Sequence, residues 1–522
     1  MTKFNKRTTQ PAKGQSFVVT ETRSTTTTAL GGVGFARDAK SELYMLALAN
    51  MAGEKTYHEQ APERDGRYIK LIQEVASVDP TWLLGLFGWL RSEANMRSAS
   101  IVGALEAAKA LVLAKVPGGR QMVAAALQRA DEPGEAVAYW RSNYGRAMPK
   151  PIKRGIADAA TRLYNEYALL KYDTASHGVR FADVLELTHP SAAAPWQSDL
   201  FRFALARRHN RDEEPGELLS MVRNQAQLRK AVGAGRTEAL LSSQNLKAAG
   251  FTWEDALSLA GNKVSKKTLW EAMIPNMGIM ALIRNLRNFD QAGVSDEAAQ
   301  KVIDLLRNPE VIAKSRQFPF RFLAAHRATA HSLRWAYPLE QALKHSTANI
   351  PELSGRTLVL VDRSGSMFSA NTGALSELTR ADAAAVFGSA IALRNISRTT
   401  LVQFGTGAQP VKVRAGDSVL NLVNSFGNMG GTNTAAAVRT FYDGHDRVII
   451  VTDEQAHDGD VGAQIPAKVP LYTWNLGGYR VAHAGGGTNR HAFGGLTDAS
   501  FKIIPLLEKG ASATWPWLEN QS

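Results

Sequence analysis

From about residue 36 to 345 the apolar positions recur at helical spacing. Ile101, Leu105, Ala108 and Val112, for example, fall on one face of a single helix. Asp79-Pro80 ahead of TWLLGLFGWL reads as a helix start, with Asp as the cap and Pro in the first turn. Segments of ten to twenty residues follow one another across short breaks: KVPGG (115–119), DEPGE (131–135), MPKP (148–151), THPSAAAP (188–195) and DEEPG (212–216). Strand-like alternation does not interrupt them. After Pro351 the pattern changes, and short apolar runs alternate with helical ones. RTLVLVD (356–362), TTLVQFG (399–405), DRVIIVTD (446–453) and VPLYTWNLGG (469–478) read as strands buried on both faces. RADAAAVFGSAIALRN, between the first two, predicts a helix with Val386, Ala390 and Leu393 on one face.

The first pattern predicts stacked helical pairs of the HEAT or armadillo kind, on helix density and not on a fixed repeat period. The second predicts a doubly wound, Rossmann-like α/β sheet. Residues 1–30, with the run TRSTTTTALGG, are too polar to bury much and are expected to form a flexible tail. The expected organisation is therefore a tail at 1–30, an all-α unit at 31–350 and an α/β unit at 351–522. A chain of 522 residues can bury a core in each.

Charge separates the same two units. Residues 351–522 carry 14 Lys and Arg against 14 Asp and Glu, so the formal charge of +13 lies wholly on residues 1–350. That asymmetry fits a polyanion-binding surface, most readily nucleic acid, or else solvated helix faces that keep the protein soluble. Cysteine is absent, which excludes disulfides, thiolate zinc sites and cysteine nucleophiles and suits a cytoplasmic setting. No run of about 18 apolar residues predicts a membrane span. The first residues, MTKFNKRTTQPAKGQSF, lack the apolar stretch of a secretory signal.

Candidate chemistry concentrates at residues 358–368, LVLVDRSGSMF. Ligands of open α/β sheets bind past the carboxyl ends of strands, and Asp362, Ser364 and Ser366 sit there. Thr432 in GGTNTA, before a helix, and Asp453 in VIIVTDEQ, at a strand end, occupy matching places. Hydroxyls and carboxylates without a soft ligand suit a hard divalent cation, Mg²⁺ before Mn²⁺ or Ca²⁺. Hydroxyls would bind it directly and one or both carboxylates through water, leaving a position that a partner's acidic oxygen could fill. A capping cluster is the plainer alternative. A serine nucleophile is another, with His331 or His457 as base, but GSMF is not a nucleophile-elbow sequence.

Asp-x-Ser-x-Ser after a first strand, with a later Thr and a later Asp, resembles the metal-ion-dependent adhesion site of von Willebrand factor A domains. Asp362, Ser364, Ser366, Thr432 and Asp453 match all five positions.

Four stretches of the helical half resemble the TROVE module of the Ro RNA-binding proteins: GRAMPKPIKRGIADAATRLYNEYALLKY (145–172), RFADVLELTHP (180–190), WEAMIPNMGIMALIRNLRNF (270–289) and RQFPFRFLAAHRA (316–328). A TROVE module followed by an A domain is the Ro arrangement. The resemblance implies a monomeric ring of helical repeats closed by the A domain. It implies a ribonucleoprotein that threads single-stranded 3′ ends of misfolded RNA through a basic hole. A small structured Y-like RNA would sit on its outer face. The resemblance further implies a scaffold in RNA quality control or processing, in some cases working with an exoribonuclease, and not an enzyme. His189 matches the family's outer-surface His, and Lys171 takes the place of a Lys on the same surface. A further basic residue is replaced by TASHG, where His177 or Arg180 could substitute. Lys153 and Arg154 match a basic pair, and Arg284 matches an Arg near the hole.

Each residue also has a plainer reading. His189 could be a loop histidine capping a carbonyl, Lys153 and Arg154 a solvated face, and Arg284 half of an interhelical salt bridge. Tyr164, Tyr172 and Trp140 could stack on unpaired bases, although core packing is the better expectation for each. Two other functions compete with the RNA scaffold. One is an adaptor whose metal site captures an acidic partner residue. The other is a metal-dependent nuclease, disfavoured because the metal residues lie in the neutral half.

Overall fold

The computed structural model describes residues 21–27, 33–49, 61–94, 96–315, 317, 319–346, 352–369, 378–456, 460–477, 481–482 and 489–494, with single positions at 504, 508, 515 and 517. Helices fill the chain from Ala39–Ala49 to Leu333–Ser346, and a mixed α/β unit begins at Thr357. No helix among the described residues is long and apolar enough to cross a membrane.

The breaks in the helical half act as predicted. Asp79 caps Pro80–Ser92, its carboxylate accepting from the Trp82 N–H at 3.0 Å, with Pro80 in the first turn. KVPGG follows the end of Arg97–Ala114, where Lys115 turns left-handed. DEPGE and MPKP place prolines in the first turns of Glu132–Tyr144 and Lys150–Leu163. Ile101, Leu105 and Ala108 are buried together with Val123, Ile152 and Ile156 of neighbouring helices. A buried carboxylate, Glu132, ties three segments, accepting from Arg91 at 2.6 Å, the Gln128 N–H at 2.6 Å and the Arg129 N–H at 2.9 Å.

The strands are β1 (Glu21–Thr27), β2 (Val33–Arg37), β3 (Thr357–Asp362), β4 (Thr399–Phe404), β5 (Ala408–Pro410), β6 (Arg447–Thr452), β7 (Leu471–Asn475), β8 (Val481–Ala482) and β9 (Arg490–Gly494). The main sheet has the order β5-β4-β3-β6-β7-β9, parallel except for β5. Each central strand alternates between two cores. Val359, Val361, Ile449 and Val451 face the helix Arg380–Arg394, with Val386, Phe387 and Ile391. Leu358, Leu360, Val448 and Ile450 face Thr434–Phe441. This two-sided burial is why the strands read as unbroken apolar runs.

The tail expected over residues 1–30 is corrected in part. Glu21–Thr27 pairs antiparallel with β2, and β8 adds a third strand on the other side of β2. A threonine run is β-branched, and such residues accept a pleated strand once a partner is supplied. The partner comes from the far end of the chain, which local composition does not reveal.

The helical half meets the α/β unit at both of its ends. Near its start, the buried Arg64 donates to the Gly477 carbonyl at 2.7 Å, and Tyr44, Trp82 and Trp89 surround Trp517. Near its end, Arg327 makes a bidentate pair with Asp382 at 3.0 and 3.1 Å. The repeats thus form a closed circuit with the α/β unit as its last member.

Candidate functional site

Asp362 ends β3 and Asp453 follows β6, the two strands between which the direction of chain progression reverses. The five predicted residues converge here, and all are buried. The Asp362 carboxylate accepts from the Ser364 N–H at 2.8 Å and from the Thr452 hydroxyl at 2.5 Å. Ser364 and Ser366 place their hydroxyl oxygens 3.2 Å apart. The loop bearing Thr432 is locked beside them, because the Gly365 N–H donates to the Gly430 carbonyl at 2.6 Å and the Met429 N–H to the Arg363 carbonyl at 2.9 Å. Gly430 adopts φ +78°, and a Cβ there would meet Thr406 Oγ1 at 2.9 Å, so this turn needs glycine.

Two buried carboxylates therefore share one crevice. Burial first, and the charge of Asp453 second, push the Asp362 carboxyl up to about 7. The adjacent cation does not relieve this. Arg363 is buried, but its guanidinium donates to the carbonyls of Gly427 at 2.8 Å and Ala381 at 2.7 Å and lies over the Phe368 ring at 4.6 Å. Among the described residues no group of three or more His, Asp or Glu forms a metal cluster. Two acids with three hydroxyls are the donor set that a hard cation would complete, and its charge would offset the repulsion. Thr452 and Arg363 were not singled out from the sequence. Their part is to hold Asp362 and the surrounding loops, and only the strand-end position of VTD hinted at the first.

The serine-nucleophile alternative finds no support in this geometry. The two serine hydroxyls hydrogen-bond each other, and no histidine among the described residues bonds either. His331 is exposed in the turn after Pro319–Ala328. His457 lies outside the described residues.

In the helical half the structure places Lys153 beside the helix that His189 ends. Lys153 lines a cleft of 240 Å³ with Arg141, Arg146, Asp183, Glu186 and Leu187. Glu186 and Leu187 belong to Phe181–Thr188, the helix that His189 terminates in a left-handed turn. It is the His189 backbone N–H that caps, donating to the Leu185 carbonyl at 2.9 Å; the exposed ring is left to solvent. Arg154 is exposed on the helix of Lys153, and Lys171 is exposed at the end of Glu166–Tyr172. Of the two proposed substitutes, Arg180 is engaged by Asp173 at 2.5 Å, which neutralises it, while His177 Nδ1 lies 2.8 Å from the Thr174 hydroxyl. Arg284 stands apart, exposed on Ile279–Ala292, with no carboxylate in ion-pair range among the described residues; its charge lowers the pKa of Arg321 after burial does. Tyr164 and Trp140 belong to the core: Tyr164 stacks on Phe181 at 3.7 Å, and the Trp140 ring N–H donates to the Ala147 carbonyl at 3.0 Å. Tyr167, three residues after Tyr164, is exposed instead, as are Trp196 and Tyr337 elsewhere in the helical half.

A closed helical-repeat circuit completed by a doubly wound α/β unit, with an oxygen-lined crevice at its strand-order reversal, defines the class. The TROVE domain profile matches residues 245–352, which include two of the four resembling stretches. The fold is that of the Ro protein of Deinococcus radiodurans, with a TM-score of 0.61 and 16% identity over 90% of this chain and 100% of that one. Telomerase protein component 1 is 46% identical over 77 residues in Mus musculus and 44% in Rattus norvegicus. Each match takes in 14% of this chain and 3% of the relative, so the chain spans a small fraction of those proteins. Residues 245–352 thus match the TROVE domain, and the chain as a whole shares the fold of the Ro protein.

Proposed function

We propose that this chain is a Ro-like RNA-binding scaffold. Its helical half binds structured non-coding RNA of the Y type on the outer face and single-stranded ends of misfolded RNA within the circuit. The observation that carries the reading is electrostatic. All of the +13 charge lies on residues 1–350, which contain most of the TROVE match. The exposed Arg154, Lys171 and Arg284 there have no carboxylate partner among the described residues. Cations left unpaired on a helical surface neutralise phosphates and release counterions with little sequence preference.

The test is a salt titration of RNA binding. Single strands give a log–log slope of roughly −0.7 per phosphate, so three to five contacts predict a slope of about −2 to −4. A slope near zero overturns the reading. Lys171→Glu and His189→Ala should each weaken a structured RNA about five- to tenfold, through loss of phosphate contacts. Binding of a single-stranded end should change less, measured side by side in the same filter assay. Equal losses on both probes would remove the distinction between an outer face and the circuit.

The α/β unit is proposed to hold Mg²⁺ through Ser364, Ser366 and Thr432, with Asp362 and Asp453 acting through water. Bound there, the ion supplies an electrophilic position able to accept a carboxylate oxygen. This supports a second reading, a metal-dependent adaptor that captures an acidic residue of a protein partner. If EDTA abolishes the main interaction in a pull-down and RNase does not, the adaptor reading prevails. An exoribonuclease is the partner such a face would serve in RNA processing, with the chain itself monomeric, cytoplasmic and non-catalytic.

A further inference from the structure

The short helix Glu166–Tyr172 carries an alternation of rings and cations on the surface. Tyr167 and Lys171 are four residues apart and share a face. The Lys171 ammonium lies 5.5 Å from the centre of the Tyr167 ring and 5.1 Å from that of Tyr172. Beyond Tyr172, the Arg129 guanidinium stands 5.6 Å from the ring centre. Arg129 is itself held by Asp131 through two bonds of 2.6 and 2.5 Å. The row is therefore Tyr167, Lys171, Tyr172, Arg129. Its inner end is anchored by a carboxylate. Its outer end, Tyr167, is 43% exposed, in contrast to the buried Tyr164.

Tyr167 thus combines an exposed ring with a cation held beside it. Its inward face is polarised by an ammonium, and its other surface is open. We propose that Tyr167 is a stacking platform for one unpaired nucleobase of the bound RNA, with Lys171 placed to grip the phosphate beside it. Bases stack on aromatic faces with little sequence preference, and a neighbouring cation adds backbone affinity. The charge is right for this occupant: Lys171 and Arg129 border the rings, and the surrounding unit holds the whole positive excess. The inference rests on the RNA-binding reading and adds what it lacks. The outer face would recognise a loop, bulge or flanking single strand, and not phosphates alone.

The experiment uses the full chain and two RNA probes. One is a hairpin with a single-nucleotide bulge of 2-aminopurine, and the other is the same hairpin fully paired. The wild-type protein should quench the bulged base on binding. Tyr167→Ala should abolish most of that quenching and weaken the bulged probe about tenfold, within the range for loss of one stacked base. Its affinity for the paired probe should change less than twofold. Tyr167→Phe keeps the ring and should restore both quenching and affinity, which separates stacking from any loss of fold. Lys171→Gln should reduce the salt slope by about one phosphate contact on either probe. If Tyr167→Ala matches wild type on the bulged probe while salt-dependent binding persists, the stacking proposal is overturned and the scaffold reading stands. If the wild-type protein binds neither probe, both fall.

Discussion

Trp517→Ala is expected to destabilise the junction between the first helices and the α/β unit by about 3–5 kcal/mol, the cost of truncating a buried tryptophan. Trp517 is 7% exposed. Its ring lies 5.2 Å from Trp82, 5.9 Å from Trp89, 5.5 Å from Trp515 and 6.3 Å from Tyr44. Its removal leaves a cavity among the surrounding rings. Gly85 is the other half of the contact. A Cβ at that position would run into the Trp517 indole, so the glycine in TWLLGLFGWL is the socket that admits it. Gly85→Ala should therefore resemble Trp517→Ala, and the double variant should cost much less than the sum, since either lesion already undocks the ring. Hydrogen exchange measures this locally. Protection should fall in Ala39–Ala49 and Pro80–Ser92 and hold in Arg380–Arg394. A uniform loss of protection, or additive effects, would show that the circuit does not close through this contact.

The elements that were legible in the sequence share one property: local pattern and tertiary surroundings agree. Leu358–Val361 read as a buried strand because both of its faces meet apolar helices. Asp79-Pro80 read as a helix start because cap and first turn are local chemistry. The meeting of Asp362, Ser364 and Asp453 was legible because these residues sit at or just past strand ends, where any parallel sheet brings them together. What escaped was non-local. The strand Glu21–Thr27 depends on β2, and β8 completes its sheet from more than 440 residues away. Trp515 and Trp517 carry no local pattern, and the rings around them come from the first helices. Among the RNA candidates, composition could not distinguish Tyr164, stacked on Phe181, from the exposed Tyr167 three residues later. Lys171 at the next turn was the available signal for the second, since aromatic and cation at four-residue spacing face one way.

Asp362→Ala is expected to weaken Mg²⁺ binding about 10- to 100-fold, the effect of losing a carboxylate that acts on the ion through water, and to leave RNA affinity within about twofold of wild type, since coupling is energetic only if both sites bias one two-state element. The separation is not guaranteed by distance, because a continuous path joins the two units. Arg363, next to Asp362, donates to the Ala381 carbonyl, and the following residue, Asp382, pairs with Arg327 of the helical half. A path transmits nothing unless an element along it has two arrangements. The helix Arg380–Arg394 offers no second one: it is buried along nearly its whole length, and at Gly388 it presses so closely on Val361 that a Cβ would clash. Asp362→Asn controls for shape, since it keeps an acceptor for the Ser364 N–H while removing the charge, and it should reproduce the metal defect. Calorimetric Mg²⁺ titration and filter binding of RNA, on the same protein samples, measure both quantities. A parallel loss of Mg²⁺ and RNA affinity in both variants would mean that the helix does shift, and that the ion controls the grip of the circuit on RNA.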